Sequence, residues 1–158
     1  MKIKNSYKLI ILGSAGNGVR MMCRILVKNL NEKYPNASIT YYFDYDSTVR
    51  GGKTTSYISI NNKKPIHEFI FSKCDLLVQF KNFRLNNFEA QEIIAPENSK
   101  KAENINFEKK ALKNFKTQLY ANMIALGYLS AKLQLGDKID SLDELNQKAF
   151  KLGYSLFK

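Results

Sequence analysis

The sequence predicts an α/β domain, a single three-layer unit over residues 1–158 with a mainly parallel sheet flanked by helices. Three observations predict it. An apolar run, Leu9-Ile10-Ile11-Leu12, stops at the glycine turn Gly13-Ser14-Ala15-Gly16-Asn17-Gly18, and an amphipathic segment follows at once. A β-branched and aromatic run, Ser38 to Phe43, comes next, so strand, helix and strand fall within about 35 residues, the βαβ pattern of a parallel pair. Further short apolar runs are then followed by long helical periodicity at the C-terminal end.

Element by element, the first strand is expected at about Lys8 to Leu12, after a lysine-bearing lead. The helix beyond the turn has Val19, Met22, Cys23, Leu26, Val27 and Leu30 at i, i+3, i+4, i+7 spacing, the mark of one buried face. Arg20, Arg24 and Lys28 recur every fourth residue as a basic ridge on its outer side, and Pro35-Asn36 stops it. Thr54 to Ile60 and Asp75 to Phe80 read as strands, with an Asn61-Asn62 turn between them. Phe83 to Gln91 reads as a short helix, Glu92 to Ala95 as a strand, and Asn98 to Asn106 as a linker. From Glu108 one helix is expected to run to about Leu135 with Gly136 as its C-cap. Ser141-Leu142-Asp143-Glu144 fits a capping box opening a last helix with the seam Leu142, Leu145, Ala149, Leu152, Leu156.

Composition narrows the function classes. Hydrophobic content of 44% and charged content of 25% are those of a soluble globular protein. The N-terminal apolar run is too short for a signal-peptide core or a membrane span, so a cytoplasmic location with no membrane partner is expected. Net charge is +11, yet the lysines are spread along the whole length rather than interleaved with aromatics on one element, so no nucleic-acid partner is expected. The two cysteines, Cys23 and Cys74, lie far apart in apolar contexts and form no CxxC pair, so the chain has no iron–sulfur or zinc framework of its own.

The glycine turn is the one motif with chemical content. Glycines admit positive φ and close approach of another backbone or a ligand, and the helix that follows presents free N–H groups to an anion. A P-loop is excluded, because Val19-Arg20 stands where Lys-Ser/Thr must hold phosphate and magnesium. Gly13-x-Ala15-x-x-Gly18 is a degenerate dinucleotide fingerprint, and Asp44 stands near where a ribose-binding acid belongs. A stand-alone nucleotide-binding protein using Gly13–Gly18 and Asp44 is therefore the alternative reading. No hydrolytic or metal constellation can be assembled: His67 is the only histidine, and Asp44, Asp46, Glu68 and Asp75 are scattered. No catalytic residue and no metal ligand is assigned.

Several stretches together resemble one family. Gly13-Ser14-Ala15-Gly16-Asn17-Gly18-Val19 resembles the G-x-G-G-Q-G-V turn that opens the gamma subunit, or gamma domain, of 2-oxoacid:ferredoxin oxidoreductases. Val49-Arg50-Gly51-Gly52-Lys53-Thr54-Thr55 resembles its V-R-G-G-x-S/T segment, Asn122-Met123-Ile124-Ala125-Leu126-Gly127 its N-M-x-A-L-G helix, and Cys74-Asp75-Leu76-Leu77-Val78 its A-D-x-L-V strand. Ala15 replaces a glycine and Asn17 the usual glutamine. The resemblance implies an enzyme complex in which thiamine diphosphate attacks a 2-oxoacid such as pyruvate, iron–sulfur clusters pass electrons to ferredoxin, and coenzyme A takes the acyl group. It implies that these cofactors sit on or with other subunits, thiamine-binding alpha and beta and iron–sulfur delta. This chain would be a structural module associated with coenzyme A. The cofactor-facing residues expected on that basis are Gly13, Ser14, Gly16, Asn17, Gly18, Arg50, Gly51 and Gly52. The two loops are expected side by side at the carboxyl ends of adjacent strands.

Overall fold

A computed structural model of the chain describes residues 5–45, 52–85, 87–97 and 102–157. The element order is β1 (Ser6–Ser14), α1 (Val19–Lys33), β2 (Ser38–Tyr45), β3 (Lys53–Asn61), β4 (Lys73–Gln79), β5 (Glu89–Ala95), β6 (Ala102–Asn104), α2 (Phe107–Phe115), α3 (Ala121–Lys132) and α4 (Glu144–Leu156). The strands form one sheet in the order β2-β3-β1-β4-β5-β6, with β3 alone running against the others. The α/β class and the mainly parallel sheet agree with the sequence reading.

The expected pairing of the first two strands does not occur. β3 lies between β1 and β2, with Leu9 opposite Ile58 on one side and Tyr41 opposite Ile58 on the other. Burial explains the order. Seven consecutive residues of β3, Thr54 to Ile60, are buried, a pattern open only to an interior strand, whereas no residue of β2 is buried. Small hydroxyl residues (Thr54, Thr55, Ser56, Ser59) let β3 fit between its neighbours.

Side chains alternate across the sheet. Leu9 and Ile11 join Ile58, Ile60, Leu76 and Val78 under all four helices in the larger cluster. Ile10 and Leu12 face the other way, with Tyr57, Leu77 and Phe71, and are covered by Phe83, Leu85 and Phe88 from segments without helix. Among the described residues, the short helix expected over Phe83 to Gln91 is thus absent. Its aromatics cap the second face from an irregular segment, and β5 starts at Glu89. β6 falls within the stretch read as a linker.

α1 buries Val19, Met22, Cys23, Leu26 and Leu30 of the predicted set, while Val27, at the margin of that face, is only partly buried. The single C-terminal helix is instead two. Lys116, at φ 61, caps α2 in the left-handed conformation, and Leu119 beyond it is 76% exposed. α3 then ends at Leu133, short of Gly136, which has φ 101 in the following turn. The cap of α4 is Asp143, which accepts from the Asn146 N–H at 2.9 Å, so the Ser141 capping box is corrected by two residues. Its buried face is Ala149, Phe150 and Gly153, while Leu145 of the expected seam is 48% exposed. Every residue of α3 is buried, and α4 crosses it in contact: a Cβ on Gly127 would stand 1.9 Å from the Phe150 carbonyl oxygen, and one on Gly153 1.8 Å from that of Ile124. Among the described residues no helix is long and apolar enough to cross a membrane.

Candidate functional site

The glycine turn emerges where β1 ends and is fastened on three sides. The Ala15 N–H donates to the Gly52 carbonyl at 3.0 Å, which ties the turn to the residue that leads into β3. The Asn17 N–H donates back to the Ser14 carbonyl at 3.1 Å, closing the turn, and Gly16 crosses it at φ 90 with open space where a side chain would be. Gly18, at φ 66, is the N-cap of α1 and offers no side chain, so the first-turn N–H groups lack the usual capping oxygen.

Each glycine here answers to a neighbour. A Cβ on Gly13 would stand 2.5 Å from Val19 Cγ2, so the bare residue lets the start of α1 fold back on β1. A Cβ on Gly18 would stand 2.3 Å from Asn122 Nδ2. Asn122 is buried at the start of α3, where its amide approaches the Gly18 carbonyl at 3.4 Å and its Oδ1 accepts from the Met123 N–H at 2.9 Å. Asn17 reaches α2, its Nδ2 donating to Glu108 Oε1 at 2.7 Å.

The structure therefore brings Gly13, Ser14, Gly16, Asn17, Gly18 and Gly52 to one edge of the sheet; Arg50 and Gly51 lie outside the described residues. The route differs from the one expected. β1's neighbour at this edge is β3, where Ser14 stands opposite Lys53, so Gly52 meets the turn at the start of a strand rather than at the carboxyl end of one. Asp44 is not brought to the turn. It faces the other side of the sheet, in a hollow shared with Lys53, Thr55 and Tyr57, and the glycine–acid pairing of the alternative reading has no common cavity.

The hollow next to the turn holds about 500 Å³ between α1 and the end of β2. Its wall carries Arg20, Arg24, Phe43 and Tyr45, with the Arg20 guanidinium 5.5 Å from the centre of the Phe43 ring. Only part of this wall was readable. Arg20 and Arg24 follow the turn at i, i+4, and Phe43 and Tyr45 alternate onto one face of β2, but the sequence does not show that the two faces meet.

The other groups that the sequence singles out, among the described residues, do not line this hollow. Burial pushes the Cys23 thiol up to about 12, and burial, with the Asp75 charge second, does the same to Cys74. The two thiols belong to clusters on opposite faces of the sheet, so they cannot ligate one cluster. Asp75 accepts from the Lys8 N–H at 2.7 Å, Glu68 pairs with the Lys8 ammonium, and His67 is exposed. Asp46 lies outside the described residues. Among those residues, no three His, Cys, Asp or Glu gather as metal ligands.

Comparison with known proteins follows the same lines. A family model described as pyruvate ferredoxin/flavodoxin oxidoreductase matches residues 8–156. No curated protein matches the sequence. Among solved structures, the chain is similar to the keto/oxoacid ferredoxin oxidoreductase gamma subunit of Geobacter sulfurreducens, at 18% identity and TM-score 0.69 over 95% of each chain. It is similar to the pyruvate oxidoreductase subunit PORC of Thermotoga maritima, at 14% identity and TM-score 0.69 over 96% of this chain and 97% of that one. A 2-oxoglutarate:ferredoxin oxidoreductase from Magnetococcus marinus, solved with 2-oxoglutarate, coenzyme A and succinyl-CoA, matches at 16% identity and TM-score 0.70, over 97% of this chain but 31% of that one. At these identities the likeness is one of fold.

Proposed function

The chain belongs to the pyruvate ferredoxin/flavodoxin oxidoreductase family, and from that premise we propose that it is the gamma subunit of a 2-oxoacid:ferredoxin oxidoreductase. The complex decarboxylates a 2-oxoacid oxidatively to an acyl-CoA. Its thiamine-binding alpha and beta subunits and iron–sulfur delta subunit are this chain's partners, with ferredoxin reached through the complex and the cytoplasm as its location. The gamma chain contributes a fitted surface and no reacting side chain.

The observation that best supports this role is the Ala15–Gly52 hydrogen bond, which sets the glycine turn against Gly52 at one sheet edge. Gly16, exposed beside that contact, is bare backbone that suits close approach by another chain or by a phosphate-bearing ligand. The donor set does not fit a cluster, since the sheet separates its two thiols. A pantetheine nucleotide suits the turn better: Gly16 is bare, and the start of α1 has N–H groups without a side-chain cap. When bound, coenzyme A supplies the thiol that accepts the acyl group, and this chain's part is to hold and enclose it.

Arg50 provides the test, because a guanidinium in the Val49-Arg50-Gly51-Gly52 segment would suit a carboxylate or phosphate bidentately. Arg50→Ala should leave thermal stability within about 0.5 kcal/mol. In a reconstituted complex it should weaken assembly or raise the apparent KM for coenzyme A. A complex carrying Arg50→Ala that assembles and turns over like wild type would show the assignment of this surface to be wrong.

A further inference from the structure

α2 carries a surface that packing does not account for. Lys109, Lys110, Lys113 and Lys116 follow one another along the helix and its C-cap, against a single acid, Glu108. That acid is already engaged, since Glu108 Oε1 accepts from Asn17 Nδ2 at 2.7 Å. None of the four lysines takes part in an ion pair among the described residues. Lys113 and Lys116 lie where the negative end of the helix dipole favours a cation, but Lys109 and Lys110 stand within the first four residues, where the positive end does not. Lys116 also holds φ 61, a left-handed conformation that a helix end usually gives to glycine.

A solvated lysine face has no need of leucine, yet two are here. Leu112 is 49% exposed and Leu119 76%, the highest value of any large apolar side chain among the described residues. Single leucines scattered over a surface are ordinary, but these two are not scattered. Leu112 follows Glu108 by one helical turn, and Leu119 lines a hollow of about 380 Å³ together with Glu108, so both border the same side chain. An apolar centre inside a charged rim is the anatomy of a protein–protein contact.

We propose that the outer face of α2, with the chain beyond it to Leu119, is a docking surface for a protein that presents an apolar notch rimmed by carboxylates. Leu112 and Leu119 fill the notch, and the four lysines meet the carboxylates. Charge decides the occupant. A second copy of a chain carrying +11 would set lysine against lysine. Nucleic acid would find no arginine and no exposed aromatic ring on α2, and two leucines offer a bilayer little apolar area. The partner is another subunit of the complex, and to that extent the inference rests on the oxidoreductase reading. The surface lies on the α2 side of the glycine turn and takes no small molecule.

The chain reconstituted with the other subunits of its complex tests it. Zero-length carbodiimide coupling, which joins an amine to a carboxylate in contact, should link one or more of the four lysines to an Asp or Glu of another subunit. Lys109→Glu with Lys113→Glu should weaken assembly by about tenfold or more at low salt, and by less at about 1 M salt, where charges are screened. Lys63→Glu with Lys64→Glu, an equal charge change on exposed residues at the opposite end of the sheet, should leave assembly within about twofold. Leu119→Ser should weaken assembly severalfold with its salt dependence and the thermal midpoint of the free chain unchanged. Absence of the links, equal loss in both double variants, or assembly indifferent to Lys109→Glu with Lys113→Glu would overturn the proposal and leave the oxidoreductase reading standing. A wild-type chain that joins no complex would overturn both. Saturable binding of phosphatidylserine vesicles by the free chain, lost in the same double variant, would assign the surface to a membrane and overturn the proposal as well.

Discussion

Three glycines serve the fold in different ways. Gly127 and Gly153 have no room for a methyl group because backbone of the facing helix occupies it, whereas Gly16 has room on every side and only its φ of 90 restricts it. Gly127→Ala must drive α3 and α4 apart and should cost about 3 kcal/mol, near 10 °C of melting temperature. Gly16→Ala should cost only the left-handed strain, about 1 kcal/mol. Scanning calorimetry of the two variants separates a packing glycine from a conformational one. Asn122→Ala removes two hydrogen bonds and a contact under Gly18, and should cost about 1–2 kcal/mol, read as a lower urea midpoint at unchanged slope. The sequence displays Asn122 and Gly127 as members of a family-like motif; their jobs appear only when α1 and α4 are placed against α3.

Among the elements, α1 was legible in all but Val27, because it packs one face on the sheet and leaves the other to solvent, which is what periodicity detects. α3 is enclosed on all sides and carries no such stripe, and the apolar residues that follow α2 hid the break at Lys116. α4 misled in a third way. Leucine spacing favoured Leu145, but contact with α3 is made through Ala149, Phe150 and Gly153, where small residues bring the helices close. Phe150→Ala should therefore cost about 3–5 kcal/mol and Leu145→Ala less than about 0.5 kcal/mol in chemical denaturation. A reversed ranking would restore the leucine seam.

For the molecule as a whole, the class and the mainly parallel sheet could be inferred, but neighbour order and the antiparallel run of β3 could not. A βαβ pattern fixes that β1 and β2 run alike without saying that another strand lies between them, and only the burial of β3 along both faces decides it. The second face was harder still, since Phe83 and Phe88 cover it from irregular chain that has no period to read. Stability should be alkali-sensitive. The Cys23 thiol rises from 9.0 to about 12 through burial, so above pH 9 the unfolded chain releases a proton that the folded chain keeps. Stability contributed by this group is full below pH 9 and falls by up to about 1.4 kcal/mol per pH unit between 9 and 12. Tyr7, Tyr41, Tyr57 and Tyr128, all raised mainly by burial, steepen the fall at higher pH. Urea midpoints measured from pH 8 to 11 should show the decline, and Cys23→Ala should make it shallower.

The position of β3 also governs how the chain can be made. Among the described residues β1 finds its sheet partners only in residues 53–61 and 73–79, so β1 and β2 have no sheet to join when β2 has just emerged from the ribosome. Until then Leu9 to Leu12 and the apolar face of α1 are unsheltered, and apolar segments in that condition are what holdase chaperones recognise. Arrival of β3 resolves this in one step, because a single strand supplies both missing edges. Synthesis therefore passes through a vulnerable interval set by topology, and slow decoding of the asparagine- and lysine-rich stretch after β3 would extend the wait for β4 without exposing β1 on its β3 side.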